Sequence, residues 1–105
     1  MERTAWKARL LPGMKDEYVK RHAEIWPEMT RLLNEAGIHN YTIWCVGDEL
    51  FGYYEAEKGV AFAADAQAKS AVVERWNEHM KNVMRMEIDP ATGVAYELEQ
   101  VFYHP

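Results

Sequence analysis

The chain has 105 residues, a net charge of -5 and a single cysteine, with 49% hydrophobic and 28% charged residues. This composition predicts one globular domain over residues 1–105 without a membrane partner, since no apolar run approaches the roughly 20 residues of a membrane-spanning helix. The acidic balance disfavours nucleic acid as a partner, because phosphate backbones are bound by basic faces, and a lone cysteine excludes an internal disulfide.

The first third of the chain predicts a strand followed by an interrupted helix. Residues 4–11 alternate as in a strand and stop at a Pro-Gly turn signal. Across residues 14–36 the apolar positions recur at helical spacings of three and four. Proline disfavours the helical conformation in the residue before it, so we expect a kink or a break at Trp26, with Pro27 opening a second helical segment. Gly37 stands where a helix C-cap belongs.

The rest of the chain predicts a hairpin, a second helical region and a last strand. Residues 39–46 and the segment "LFGYYEA" are rich in β-branched and aromatic residues and are joined by a short polar turn. Residues 61–71 and then "VVERWNEHMKNVM" return to helical spacing, in one helix or two, and residues 94–103 predict the closing strand. The order β-α-β-β-α-β predicts an α+β, ferredoxin-like fold, a four-stranded antiparallel sheet with helices on one face.

Both alternations of these strands carry many aromatic and aliphatic residues. Helices on one face would leave the other face exposed, so we expect two sheets to pair in a homodimer, as a dimeric α+β barrel. Cys45 lies within "YTIWCVG", which predicts a small buried hydrophobe rather than a reactive thiol. The N-terminus lacks the apolar core of a signal peptide, which predicts a cytoplasmic protein.

A few side chains could carry chemistry, although each could also be a packing residue. His22 is the first candidate, because an unperturbed imidazole titrates at about pH 6.5 and exchanges protons near neutrality. Tyr18 lies one helical turn before it and could hold a ligand hydroxyl. Tyr41 in the second strand and Trp76 in the last helix are further aromatic candidates, with core packing as the alternative.

The familiar motifs of other chemistries are absent. No HxH, HxxxH or HExxH pattern occurs, so no metal site is predicted. Neither a glycine-rich phosphate loop nor a GxSxG nucleophile elbow is present, so neither a phosphate or dinucleotide cradle nor a serine nucleophile is predicted. The remaining rings, tyrosine hydroxyls and imidazole suit a small neutral polyol, whose C–H faces pack on rings while its hydroxyls form hydrogen bonds.

Three strings, "RHAEIWPEM", "HNYTI" and "LEQVFYHP", resemble the L-rhamnose mutarotases, and the resemblance covers nearly the whole chain. It implies a ferredoxin-like homodimer without a cofactor. It also implies that His22 is the proton donor and that Tyr18, Tyr41 and Trp76 contact the substrate. The activity implied is interconversion of the α and β anomers of L-rhamnose or a related deoxy sugar by ring opening with general acid-base catalysis.

Two departures from the family pattern concern the substrate. Where the family has a Trp-Trp pair this chain has Trp76 and Asn77, so an amide takes the place of a ring that would contact the sugar. An "NPDNSP"-like loop is replaced by "EIDPATGVAY", which keeps only one Asp-Pro pair. The preferred sugar could therefore be L-fucose rather than L-rhamnose.

Several points stay open at this level. The second proton carrier beside His22 could be Tyr18 or a bound water. The same architecture also occurs in cofactor-free monooxygenases and haem-degrading enzymes, in which His22 or His79 would ligate the haem. A non-catalytic sugar-binding module is a third alternative.

Overall fold

The computed structural model describes all 105 residues and contains four strands and four helices. The strands are β1 (Glu2–Leu10), β2 (Ile38–Val46), β3 (Glu49–Ala56) and β4 (Met84–Met86), and the helices are α1 (Lys15–Ala23), α2 (Pro27–Glu35), α3 (Val60–Ala68) and α4 (Ala71–Met80). All strand pairs are antiparallel, in the order β2-β3-β1-β4. Two-helix crossovers connect β1 to β2 and β3 to β4, which confirms the predicted ferredoxin-like fold.

Both crossovers are divided at positions where the sequence opposes a continuous helix. Pro27 is the first residue of α2, and Trp26 before it is extended, with φ of -64° and ψ of 138°. Proline disfavours the helical conformation at that preceding residue, and Trp26 is extended, so the predicted break is confirmed. In the second crossover, the Ser70 hydroxyl accepts a hydrogen bond from the Val73 N–H at 3.2 Å and caps the start of α4.

A bulge in β2 decides which side chains of this strand face the helices. It follows His39, and Asn40 within it adopts a φ of 50°. Strict alternation along β2 predicts that His39, Tyr41 and Ile43 share one side of the strand. That prediction is wrong for His39, because the extra residue reverses the alternation and directs its ring to solvent, where it pairs with Glu57 at 2.8 Å.

The end of the chain also departs from the prediction of a strand over residues 94–103. The closing strand is β4, and the chain then turns back between Ile88 and Ala95 before it meets β1 again. There the Leu98 N–H donates to the Ala5 carbonyl at 3.0 Å. Alternating apolar residues indicate an extended backbone, but a strand also needs a neighbouring strand edge to pair with. Within residues 94–103, only the stretch around Leu98 pairs with β1.

The helices cover one face of the sheet, here called the inner face, which carries the core residues Ala8, Leu10, Leu50, Tyr54 and Ala56. The opposite, outer face carries ion pairs. The Lys7 ammonium lies 3.0 Å from the Glu87 carboxylate and 3.5 Å from that of Glu49. The sequence analysis expected an exposed apolar patch on this face. These ion pairs of β1 instead place charged groups in the middle of it. None of the four helices has the length and apolar character needed to cross a bilayer.

Candidate active site

An open pocket lies between the inner face of the sheet and the four helices. Its volume is about 1200 Å³, and most of the side chains that line it are hydrophobic. The five predicted site residues all line this pocket: Tyr18, His22, Tyr41, Trp76 and Asn77. The fold thus brings together side chains of α1, β2 and α4 that are far apart in the sequence.

His22 lies on α1, half-buried between two aromatic rings. Its ring centroid is 4.2 Å from that of Tyr18 and 5.4 Å from that of Trp76. Its Nδ1 lies 3.1 Å from the Tyr18 carbonyl oxygen, and because a carbonyl only accepts, we assign the ring proton to Nδ1. Burial lowers the pKa of His22 below its ordinary value despite this hydrogen bond. The neutral imidazole, with a free lone pair on Nε2, is therefore the main form at pH 7.

Two tyrosine hydroxyls accompany this imidazole. Burial raises the pKa of Tyr18 well above its usual range. Burial also raises the pKa of Tyr41 to about 12, although the hydrogen bond from Trp6 opposes that rise. Both phenols therefore keep their protons at neutral pH and can donate hydrogen bonds to an oxygen-rich ligand.

Trp76 connects the pocket to the core of the domain. The ring is only 8% exposed, and its centroid lies 5.1 Å from that of Trp26 in an edge-to-face arrangement. The centroid of the exposed His79 ring lies 5.3 Å from that of Trp26, at the solvent-exposed edge of this aromatic cluster. Asn77, the next residue after Trp76, is exposed at the rim of the pocket. Trp76 thus offers an apolar surface to a ligand, and Asn77 a polar amide.

Arg21 joins α1 to the end of α4. Its Nη1 donates to the His79 carbonyl and to the Asn82 side-chain oxygen, the latter at 2.9 Å, while its Nε donates to Glu17 at 2.9 Å. A guanidinium can form all of these bonds at once because its donors lie in one rigid plane. The Glu17 bond lies within α1, and the bonds to His79 and Asn82 hold the helix that carries His22 beside the end of the helix that carries Trp76.

The sequence analysis missed a set of linked polar groups on the sheet side of the pocket, formed by Trp6, Tyr54 and Gln67. Trp6 Nε1 donates to the Tyr41 hydroxyl at 3.0 Å, and the Tyr54 ring lies 5.2 Å from the Tyr41 ring. Gln67 Nε2 lies 3.5 Å from the Tyr54 hydroxyl. The alternation of Trp6 with the apolar residues after it could have placed its ring on the inner face. No local pattern could have revealed a partner 35 residues away.

Cys45 differs from its prediction as a buried residue. Its side chain is exposed on β2, an edge strand, and donates to the Gly47 carbonyl at 3.2 Å. It was expected to be covered because its neighbours are apolar, but it lines the open pocket beneath the helices and therefore stays exposed. Across the whole chain, no three His, Cys, Asp or Glu side chains are grouped so that they could hold a metal ion.

Comparison with known proteins gives one consistent family. The family model described as L-rhamnose mutarotase matches residues 3–104. The chain is 38% identical to the L-rhamnose mutarotase of Listeria monocytogenes over 98% of both chains. It is also 38% identical to that of Acidiphilium cryptum over the full length of both.

Two solved structures share the fold. The crystal structure of an L-rhamnose mutarotase from Formosa agariphila superposes with a TM-score of 0.81 at 30% identity, covering 100% of both chains. Tetracenomycin F2 cyclase from Streptomyces glaucescens superposes with a TM-score of 0.70 at 17% identity, covering 99% of this chain and 96% of the cyclase. The cyclase resemblance concerns the fold alone, whereas the first neighbour agrees with the sequence relatives.

Proposed function

Because this chain belongs to the L-rhamnose mutarotase family and is therefore an isomerase of sugar anomers, we propose that the pocket around His22 interconverts the α and β forms of L-rhamnose. The family match favours this reaction over the haem-degrading and monooxygenase alternatives and over binding without catalysis. The observation that carries the residue assignment is the His22 ring, whose Nδ1 bonds to the Tyr18 carbonyl and whose Nε2 is unbonded, in a pocket that also contains two phenolic donors.

The reaction needs little beyond proton transfer. A base removes the proton of the anomeric hydroxyl, an acid protonates the ring oxygen, and the bond between C1 and the ring oxygen breaks to give an aldehyde. Rotation about C1–C2 presents the other carbonyl face, and the ring closes by the reverse steps. We assign the base to His22 Nε2, which takes the proton on opening and donates it back on closing.

The other pocket residues fit the two sides of a deoxy sugar. The Tyr18 and Tyr41 hydroxyls can donate to sugar oxygens, while Trp76 offers a flat surface to the C–H face and methyl group. Asn77 occupies the rim and can bond a hydroxyl that a second indole ring would only pack against. We therefore propose that L-fucose is a competing substrate.

Saturation-transfer NMR of the anomeric protons tests the function directly. Equilibrated L-rhamnose and L-fucose are each measured with and without the protein, and the rate of magnetisation exchange between anomers is compared. We expect faster exchange, and the ratio of the two rates ranks the sugars. Sugar binding without faster exchange would instead indicate a binding module.

The pH dependence follows from the state of His22. Protonation of Nε2 removes the base, so the exchange rate should fall as the pH drops through the pKa of His22. Burial lowers that pKa, so the midpoint of the fall is expected below 6.5. The measurement is the enzymatic exchange rate against pH after subtraction of the spontaneous rate. A midpoint above 6.5, or no fall at all, would contradict the neutral-base assignment.

We further propose that two chains pair through their outer faces. Trp44 on the outer face is 69% exposed, and Phe102 in the C-terminal segment is 80% exposed. Beyond Leu98 the backbone of that segment makes no hydrogen bond to the sheet of its own chain. A symmetric partner would cover both rings and offer a strand edge to this segment.

Replacing Phe102 by Glu tests this pairing, because it places a charge within the proposed contact. We expect the wild-type protein to have twice the 12.3 kDa mass of one chain in light scattering, and Phe102→Glu to shift the protein toward the monomer. Phe62→Glu is the matched control, since Phe62 is 47% exposed but lies on α3, on the other side of the sheet. A monomeric wild-type protein would refute the dimer.

A cytoplasmic location is also proposed, because the exposed, unpaired Cys45 suits a reducing compartment. Release of the protein with the periplasmic fraction on osmotic shock would contradict it.

A further inference from the structure

The hydroxyl of Tyr41 has a defined hydrogen-bond direction. Trp6 Nε1 lies 3.0 Å from it, and an indole N–H can only donate, so the Tyr41 oxygen is the acceptor. This is the one hydrogen bond that the Tyr41 hydroxyl forms within the chain. Its own proton is therefore left for a ligand in the pocket that Tyr41 lines.

Gly52 makes this arrangement possible. It lies directly opposite Trp6 in the pairing of β1 with β3. A Cβ atom at position 52 would come within 2.0 Å of Cε2 in the Trp6 ring and 2.4 Å of its Nε1. No side chain can occupy that space, so the glycine lets the indole lie flat on the strand with its N–H directed at Tyr41.

We propose that Tyr41 is the second proton carrier of the reaction, and that Trp6 and Gly52 are positioning residues that fix it as a donor. The inference rests on the proposed mutarotase function and extends it. On ring opening, His22 Nε2 takes the proton from the anomeric hydroxyl and C1=O forms. The electron pair of the breaking C1–O bond stays on the ring oxygen, which receives the Tyr41 proton. On closing, that proton returns to Tyr41 and the His22 proton returns to the anomeric oxygen.

The indole contributes most when Tyr41 has given up its proton. A phenolate is a stronger acceptor than a phenol, so the Trp6 N–H stabilises the charge that develops on the Tyr41 oxygen. Tyr18 lacks this support, because no group of the chain donates to its hydroxyl, and its pKa is raised further than that of Tyr41, whose rise the Trp6 hydrogen bond opposes. Between the two phenols of the pocket, the geometry therefore favours Tyr41 as the acid.

Trp6→Phe is the test variant, because it keeps an aromatic ring beside Gly52 and removes the N–H donor. We expect kcat to fall roughly 10- to 100-fold, the range of a lost hydrogen bond to a charged group, with a much smaller change in KM. In Tyr41→Phe the acid itself is missing, so adding Trp6→Phe to that variant should cause no further loss. Phe62→Leu, which removes an exposed ring on α3 away from the pocket and from the proposed dimer contact, is the control and should keep wild-type kcat.

A spectroscopic readout separates positioning from a general loss of structure. The four tryptophans give four indole N–H signals in a ¹H–¹⁵N spectrum, and Trp6→Phe identifies one of them. That signal should move upfield in Tyr41→Phe. It should move downfield when L-rhamnose is added to the wild type, because a phenol that donates also accepts more strongly.

The outcomes distinguish the two proposals. If the wild-type protein is active but Trp6→Phe keeps full kcat, or if the losses in the double variant add, the proposed role of Trp6 and Tyr41 is overturned. The mutarotase function itself would still stand. Wild-type protein that does not accelerate anomer exchange overturns the mutarotase function, and this role with it. Gly52→Ala tests the same role independently. Its methyl group should displace the Trp6 indole, so the Trp6 N–H signal should no longer move downfield when L-rhamnose is added.

Discussion

His22→Asn is expected to slow anomer exchange by roughly 10²- to 10⁴-fold, the usual contribution of one general acid-base group. The amide can replace the hydrogen bond from Nδ1 to the Tyr18 carbonyl, but it cannot take or return a proton at neutral pH. Sugar affinity and melting temperature should change little, because no buried charge is left behind. Saturation-transfer rates over a series of L-rhamnose concentrations give the rate and the sugar affinity, and a thermal melt gives the melting temperature.

His79→Asn is the matched control for that experiment. His79 lies on α4 and packs against the same aromatic cluster, but its side chain is exposed and does not line the pocket. Exchange in this variant should stay within about twofold of wild type. If His22→Asn kept full exchange, the assignment of the base would be wrong, whatever the behaviour of the control.

Trp76→Ala is expected to lower the free energy of unfolding by about 3–5 kcal/mol, the range for truncation of a large core aromatic. Trp76 belongs to the core cluster that contains Leu10, Leu50 and Met80, and its loss would leave a cavity beside the pocket. Domains of this size are stable by about 5–15 kcal/mol, so the variant should be close to unfolding at growth temperature. Urea denaturation at fixed protein concentration measures the difference.

Two further variants separate stability from sugar contact. Trp76→Phe keeps a ring in place and should recover much of the stability, while KM for the sugar stays raised because the apolar surface is smaller. Phe62→Ala, at an exposed position of α3, should stay within about 0.5 kcal/mol of wild type. A Trp76→Ala protein that unfolds together with the wild type would show that this ring does not anchor the core.

The parts of the fold that sequence analysis predicted depend on local rules. Pro27 ends one helix and begins the next because of its own covalent geometry, and Gly37 follows α2 with a φ of 74°. The bulge at Asn40 was not predicted, because nothing in an alternating sequence marks the extra residue. The strand predicted over residues 94–103 was wrong because pairing depends on a neighbouring edge. The single domain over residues 1–105 stays a prediction.

The candidate site divides in the same way. His22, Tyr18, Tyr41, Trp76 and Asn77 were selected from residue chemistry and family resemblance, and the fold gathers all five around one pocket. Their catalytic and binding roles stay predictions. The contribution of Trp6 depends on a hydrogen bond across the sheet and on the absence of a side chain at position 52. Such relations exist only after strands have paired.

The bonds of Arg21 have a consequence for when the enzyme becomes active during its own synthesis. They join α1 to Asn82, 61 residues later in the chain, so the two walls of the pocket are held together only after α4 has left the ribosome. Contacts between distant residues form late because a long loop must close first. A nascent chain that already contains His22 should therefore be inactive until about four fifths of it has emerged.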